Sequence, residues 1–138
     1  QYRDDMIFMV LEAKNALGRI PYLNEDLLDI QEHYLDKDDP FYLALNDENR
    51  VIGCMGYHAI PGTDHVRLQR LYVKYHLKRC GIGSALLKTV EQHAIQRGKT
   101  RAIAHLGNQD YWESRLFYPA QGYSFFAEDY MGKELVPW

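Results

Sequence analysis

Apolar residues fall at helical spacing along some stretches of the chain and alternate with polar ones along others. Met6, Ile7, Val10, Leu11, Ala13 and Leu17, behind Asp4-Asp5, predict a capped amphipathic helix ending near Gly18. A second, shorter helix is expected after Asn24, with Leu27, Ile30, Gln31 and Tyr34 on one face and acidic Glu25, Asp26 and Asp29 early. Asp36-Lys37-Asp38-Asp39-Pro40 reads as a solvated loop. Phe41 to Leu45 and Val51 to Ile60 form a predicted hairpin across Asn46-Asp47-Glu48-Asn49. Gly53 and Gly56 within its second strand mark a bulge or a close backbone approach. Pro61-Gly62-Thr63-Asp64 is a tight turn into a strand from about His65 to Val73.

That strand breaks its own alternation. Leu71 and Val73 share one phase, Val66 and Leu68 the other. One extra residue near Gln69 or Arg70 would bring both pairs to the same face, which is what a bulge does; a strand buried on both faces would need none. After Gly83, Ile82, Leu86, Val90 and Ala94 recur at four-residue intervals, with Leu87 and Ile95 beside them and Gly98 as the stop. Arg101 to Leu106 is a short strand, so strand, helix and strand imply a right-handed parallel crossover. Asp110 is placed to cap a helix through Tyr118, ahead of strands at Tyr123–Phe126 and Tyr130–Leu135.

Between Val73 and the long helix lies Lys74-Tyr75-His76-Leu77-Lys78-Arg79-Cys80-Gly81-Ile82-Gly83-Ser84. Gly81 and Gly83 let a ligand approach the backbone. The helix start offers unpaired amides and the positive end of a dipole, and Lys78 and Arg79 add full charge. The segment reads as a seat for phosphate or pyrophosphate. It lacks the Gly-x-x-x-x-Gly-Lys-Ser/Thr of a P-loop. It also lacks the third glycine of a dinucleotide fingerprint, where Leu86 stands, and the later acidic residue, where Arg101 and Ala102 stand.

Composition narrows this only slightly. At 138 residues the chain is expected to be a single domain over 1–138, with ordinary apolar and charged content. It has no apolar run of membrane-spanning length and no opening signal peptide. Two cysteines without metal or disulfide spacing fit a reducing, cytoplasmic setting, and the six histidines show no zinc pattern, so no metal is expected. A net charge of −3 leaves no nucleic-acid footprint and mildly favours a cationic acceptor.

The spacing of Val73, Lys78, Gly81 and Gly83 before a helix resembles the coenzyme A loop of the GCN5-related N-acetyltransferase superfamily, with Lys78 where that family carries Arg or Gln. Ser114-Arg115-Leu116-Phe117-Tyr118-Pro119-Ala120-Gln121-Gly122-Tyr123 resembles its Ala-x-x-Phe-Tyr-x-x-x-Gly-Phe, and Tyr130–Leu135 its final strand. The resemblance covers about residues 40 to 135. It implies an α/β (α+β) fold with a mixed, centrally splayed sheet flanked by helices. The family's first strand would precede Asp4 and is truncated or absent here. Its frequent asparagine is replaced by Tyr111, for which Asn108 is the substitute candidate, and Pro119 would be expected to shorten the helix.

The resemblance further implies direct transfer of an acetyl group from the co-substrate acetyl-CoA to a primary amine, with a small cationic molecule preferred to a protein. The backbone of Leu71, Tyr72 and Val73 would pair with pantetheine. The amides of Arg79, Cys80, Gly81, Gly83 and Ser84, with Lys78, would hold the pyrophosphate, and Tyr118 would protonate the departing sulfur. No carboxylate occupies the strand 65–73, since Arg67 stands where some relatives place a glutamate. Among His58, Asp64, His65 and His105, the last ranks first as general base. Cys80 is read as part of the loop and not as a nucleophile. The alternatives are a protein or peptide acetyltransferase and a non-catalytic coenzyme A-binding module. No nucleic acid or membrane partner is expected; edge pairing through the final strand would make a homodimer.

Overall fold

The computed structural model describes residues 2–16, 30–74, 81–106 and 112–136. In chain order these form α1 (Arg3–Ala16), α2 (Ile30–His33) with a 3-10 turn at Leu35–Lys37, β1 (Phe41–Leu45), β2 (Val51–Ala59), β3 (His65–Val73), α3 (Ile82–Gln96), β4 (Arg101–His105), α4 (Trp112–Ala120), β5 (Ser124–Ala127) and β6 (Tyr130–Glu134). Among the described residues no strand precedes Phe41. The start of the second predicted helix, before Ile30, and the capping Asp110 lie outside the described residues.

The strands make one sheet in the order β1-β2-β3-β4-β6-β5. β3 and β4 run parallel, and all other neighbours are antiparallel. The sheet is therefore mixed, as the crossover through α3 requires. β6 sits between β4 and β5, so the last strand is not an edge and the expected pairing of two copies through it has no free backbone to use. β5 is the edge on that side.

Alternation divides the core in two. On one face Met55, Tyr57, Val66, Leu68, Ala102, Ala104 and Met131 pack against Leu86, Leu87, Val90 and Ala94 of α3. On the other, Val51 and Cys54 pack with Met6, Met9 and Val10 of α1, and Phe41, Leu43 and Tyr72 join them. Gly56 belongs to this arrangement because a Cβ there would lie 2.6 Å from the Pro40 carbonyl oxygen.

Two acidic segments do more than solvate. Asp5 lies inside the first turn of α1 rather than capping it, and its carboxylate accepts from the Arg50 guanidinium and the Val51 amide. These bonds, the guanidinium first, hold its pKa below the ordinary value. In the loop read as solvated, Asp39 is 8% exposed and accepts from the Ala59 amide at 3.1 Å and bonds His58 Nδ1 at 2.9 Å. Asp38 takes both terminal nitrogens of Arg97, at 2.8 and 2.7 Å. The loop is a clasp between β2 and the end of α3. Its partners stand 19 to 59 residues away, beyond any local pattern.

Tyr57 and His93 fasten α3 to β2 through a 2.7 Å bond between the phenol and Nδ1. Burial pushes the Tyr57 phenol up to about 12, so it keeps its proton and donates. Nδ1 must then accept, and burial holds the His93 pKa below its ordinary value. The unfolded chain, with His93 near its usual ~6.5, takes up the proton first as pH falls. This contribution to stability is therefore complete above ~6.5 and lost as pH drops through the lower folded value. Urea midpoints should decline between about pH 7.5 and 5.5, and His93→Gln should flatten that decline; an unchanged slope in the variant would discount the bond.

Candidate active site at the parting of β3 and β4

β3 carries an extra residue, so the bulge and not a strand buried on both faces resolves its broken alternation. Cys54 faces Tyr72 while Gly56 faces Gln69, so two steps on β2 match three on β3. Arg70 takes up the surplus at φ 57°, a left-handed conformation that costs a non-glycine residue about 1 kcal/mol. Val66, Leu68 and Leu71 thereby reach the same core. Beyond the bulge the strand leaves its neighbour: β3 pairs with β4 only from His65↔Arg101 to Arg67↔Ile103. From Leu71 to Val73 the edge away from β2 has no strand partner among the described residues.

α3 begins at the end of β3. Gly81 is its N-terminal boundary at φ 85°, and the first intrahelical bond is Ala85 N–H to Gly81 C=O at 3.0 Å. The amides before Ala85 belong to the turn that has no intrahelical acceptor. Gly83 also lies against side chains, since a Cβ there would meet the Phe117 ring at 3.4 Å and Val73 at 3.8 Å. Lys78, Arg79, Cys80 and Asn108, proposed from sequence for the same site, lie outside the described residues, as does Tyr111.

The Phe-Tyr-x-x-x-Gly segment explains itself by packing. Phe117 fills the space over Gly83, and Gln121 donates from Nε2 to Ser84 Oγ at 3.1 Å. Pro119 does not shorten α4, which runs to Ala120. The turn closes by two amides, Gln121 and Tyr123, donating to the Tyr118 carbonyl. Tyr118 is 6% exposed, between Phe117 and Tyr123 with ring centroids 5.2 Å from each. Burial, and then the Glu91 carboxylate, push its phenol pKa well above the ordinary value. It belongs to the core on the α3 face, and its neighbour Phe117 packs beside Gly83 at the start of α3.

His105 is on the opposite face of β4, exposed, between the buried Ala104 and Leu106. It stacks on Tyr130 at 4.5 Å and 16°. Arg67 Nη2 lies 3.0 Å from His105 Nδ1. A guanidinium only donates, so Nδ1 accepts and the neutral ring carries its proton on Nε2. The lone pair a general base would use is thus engaged. His58 is bound to Asp39 and stacked on Tyr34 at 4.4 Å, a structural role. A carboxylate that the sequence pattern passed over is Glu12 on α1, whose Oε1 is buried without a hydrogen-bond partner among the described residues.

A mixed sheet parted between its two parallel strands, with a long helix starting at the gap, is a GNAT-type fold. The chain belongs to the acetyltransferase (GNAT) family, whose model it matches over residues 8–123. It is 30% identical over 95 residues to probable N-acetyltransferase 14 of Xenopus tropicalis, covering 67% of this chain and 43% of that protein. The chain spans less than half the length of the curated relatives it matches. Among solved structures, a GNAT-family acetyltransferase from Staphylococcus aureus Mu50 superposes with a TM-score of 0.85 at 18% identity, over 98% of this chain and 94% of that one. The PaiA N-acetyltransferase of Thermoplasma acidophilum, solved with coenzyme A, gives a TM-score of 0.73 at 20% identity, over 96% and 92%.

The described residues fit a coenzyme A thioester: a stretch of strand backbone past the end of the parallel ladder for an amide-bearing arm and a helix start for its phosphates. Among the described residues no group of His, Cys, Asp and Glu is arranged to hold a metal ion.

Behind Tyr118, Glu91 accepts from the Tyr123 hydroxyl at 2.7 Å and from Lys133 Nζ at 3.2 Å. Its side chain is 12% exposed, so these donors replace water. Lys133→Met should cost about 1–3 kcal/mol in urea or thermal unfolding by leaving the carboxylate short of a partner. No loss would mean that Glu91 reaches solvent freely.

Proposed function

We propose that this chain transfers an acetyl group from acetyl-CoA directly to the primary amine of a small molecule. The observation that carries the reading is the parting of β3 from β4 after Arg67 and Ile103, with the start of α3 at the gap and Tyr118 in the core on the α3 face. The backbone of Leu71, Tyr72 and Val73, past the end of the β3–β4 ladder, would pair with the pantetheine amides. The first-turn amides at Gly81, Gly83 and Ser84 would receive the pyrophosphate, assisted by Lys78, Arg79 and Cys80 of the preceding loop, with Asn108 proposed for a pantetheine contact. A backbone amide near Val73 would polarise the thioester carbonyl, a contribution of about 2–4 kcal/mol.

The neutral amine attacks the carbonyl carbon, the carbon–sulfur bond breaks, and the thiolate takes a proton from Tyr118. A phenol whose pKa is raised by burial stays protonated throughout the working range and can donate to a thiolate. The amine's surplus proton leaves to solvent, to Glu12, or to His105 once Nδ1 is released from Arg67. General-base help of this kind is worth about 10²–10⁴-fold, so its source shapes the rate without deciding whether the reaction occurs. Within the acidic loop, Asp38 is paired with Arg97, and Asp39 with His58 and the Ala59 amide.

The test is release of free thiol from acetyl-CoA against a panel of polyamines, aminoglycosides, amino acids and lysine peptides. Turnover that falls about 10²–10⁴-fold in Tyr118→Phe, with coenzyme A binding retained, is the expected result. Saturable coenzyme A binding with no turnover on any acceptor would favour a binding module instead. Turnover of lysine peptides alone would move the assignment to a protein acetyltransferase.

A further inference from the structure

The face of β4 opposite α3 carries two arginines whose circumstances differ. Arg101 has a carboxylate partner: it donates to Glu134 Oε1 at 2.7 Å, and its guanidinium lies over the Phe126 ring at 4.8 Å. Gly132 leaves it room, since a Cβ there would stand 2.6 Å from Arg101 Nη2. Arg67, on the same face by alternation with the buried Val66 and Leu68, has no carboxylate partner among the described residues. It donates from Nη2 to His105 Nδ1 at 3.0 Å. That ring is itself held by Tyr130, the residue opposite it on β6. A guanidinium has five donors in a fixed fork, and this contact uses one.

Position gives the arrangement its meaning. Arg67 and Ile103 form the last rung between the parallel strands, so the guanidinium stands at the edge of the parting. Tyr118 clusters on the α3 side of β4, whereas Arg67 and His105 lie on the other. An amine attacking a thioester set between the strands, with the departing sulfur served from the Tyr118 side, would approach from the Arg67 side.

We propose that Arg67, held in orientation by His105, binds a carboxylate of the acceptor, and that the acceptor is an aminocarboxylate: one small molecule bearing both the amine and a carboxylate. This rests on the acetyl-transfer reading above. A paired fork on a carboxylate is the strong, directional use of a guanidinium, and a positive charge at the entrance opposes polyamines. Arg67 is an acceptor-binding residue, and His105 a positioning residue that acts through it.

The experiment compares amino acids with their carboxamides, phenylalanine and phenylalaninamide first, as acceptors for the 138-residue chain. The carboxamide's amine is less basic and more of it is neutral at pH 7, so intrinsic reactivity favours it; a preference for the carboxylate reports binding. The wild type should prefer phenylalanine by about tenfold or more in kcat/KM. Arg67→Gln should abolish that ratio through KM, Arg67→Lys should retain part of it, and His105→Phe, which keeps a ring on Tyr130, should weaken it. Equal use of both acceptors by the wild type, or equal loss for both in Arg67→Gln, overturns the proposal. Should no acceptor turn over, the transfer reading fails and binding decides this one. N-acetylphenylalanine and its amide are then titrated in the presence of coenzyme A while the Arg67 guanidinium 15N signal is followed. Carboxylate-dependent binding that Arg67→Gln removes upholds the site, and its absence overturns it.

Discussion

One surplus residue in β3 governs the geometry of the whole site. Had the strand continued in register past Gln69, Leu71 and Val73 would project away from the α3 core, and β3 could follow β4 to its end. The left-handed step at Arg70 reverses both outcomes. It returns Leu71 to the core and turns the strand away from β4, so that residues 71–73 lie past the end of the parallel ladder. A bulge of this kind persists only where packing on both sides holds it. Here Met55 and Tyr57 fix the partner strand from the α3 side, while Cys54 and Tyr72 are packed on the α1 side. The Cys54 thiol also lies 3.4 Å from the Arg70 carbonyl oxygen, tying the irregular residue to β2.

The second constraint is that the helix start and the tyrosine helix touch. Phe117 packs beside Gly83, and Gln121 reaches Ser84. The spacing Phe-Tyr-x-x-x-Gly thus records contacts with α3 as much as chemistry at Tyr118. Glu91 extends the link one helical stretch further, through Tyr123 and Lys133. A ligand seated on the first turn of α3 would therefore bear on the same element that positions Tyr118.

What could be read from the chain, and what could not, follows from the range of each interaction. The bulge was visible because Val66, Leu68, Leu71 and Val73 are close in sequence and their phases conflict. The helix 82–96 was visible because its apolar residues repeat every four. The place of β6 between β4 and β5 was not, because strand order depends on which backbone edge a distant segment meets. The same holds for Asp39, which reads as loop charge until Ala59 and His58 come into contact with it. The contact of Phe117 with Gly83 was out of reach for the same reason, because it joins two helices far apart in the chain. The resemblance supplied Tyr118, which composition alone would lose among eleven tyrosines. Lys78, Arg79, Cys80 and Asn108 lie outside the described residues.

The two faces of β4 impose opposite electrostatic surroundings within one strand's thickness. On the α3 face, burial and the Glu91 carboxylate both work against ionising Tyr118, which keeps it a proton donor. On the other face stands a guanidinium with no carboxylate partner among the described residues, its orientation set by a stacked imidazole. The His105 lone pair that accepts from Arg67 is the one a proton would need, so the contact that orients the guanidinium also occupies the imidazole.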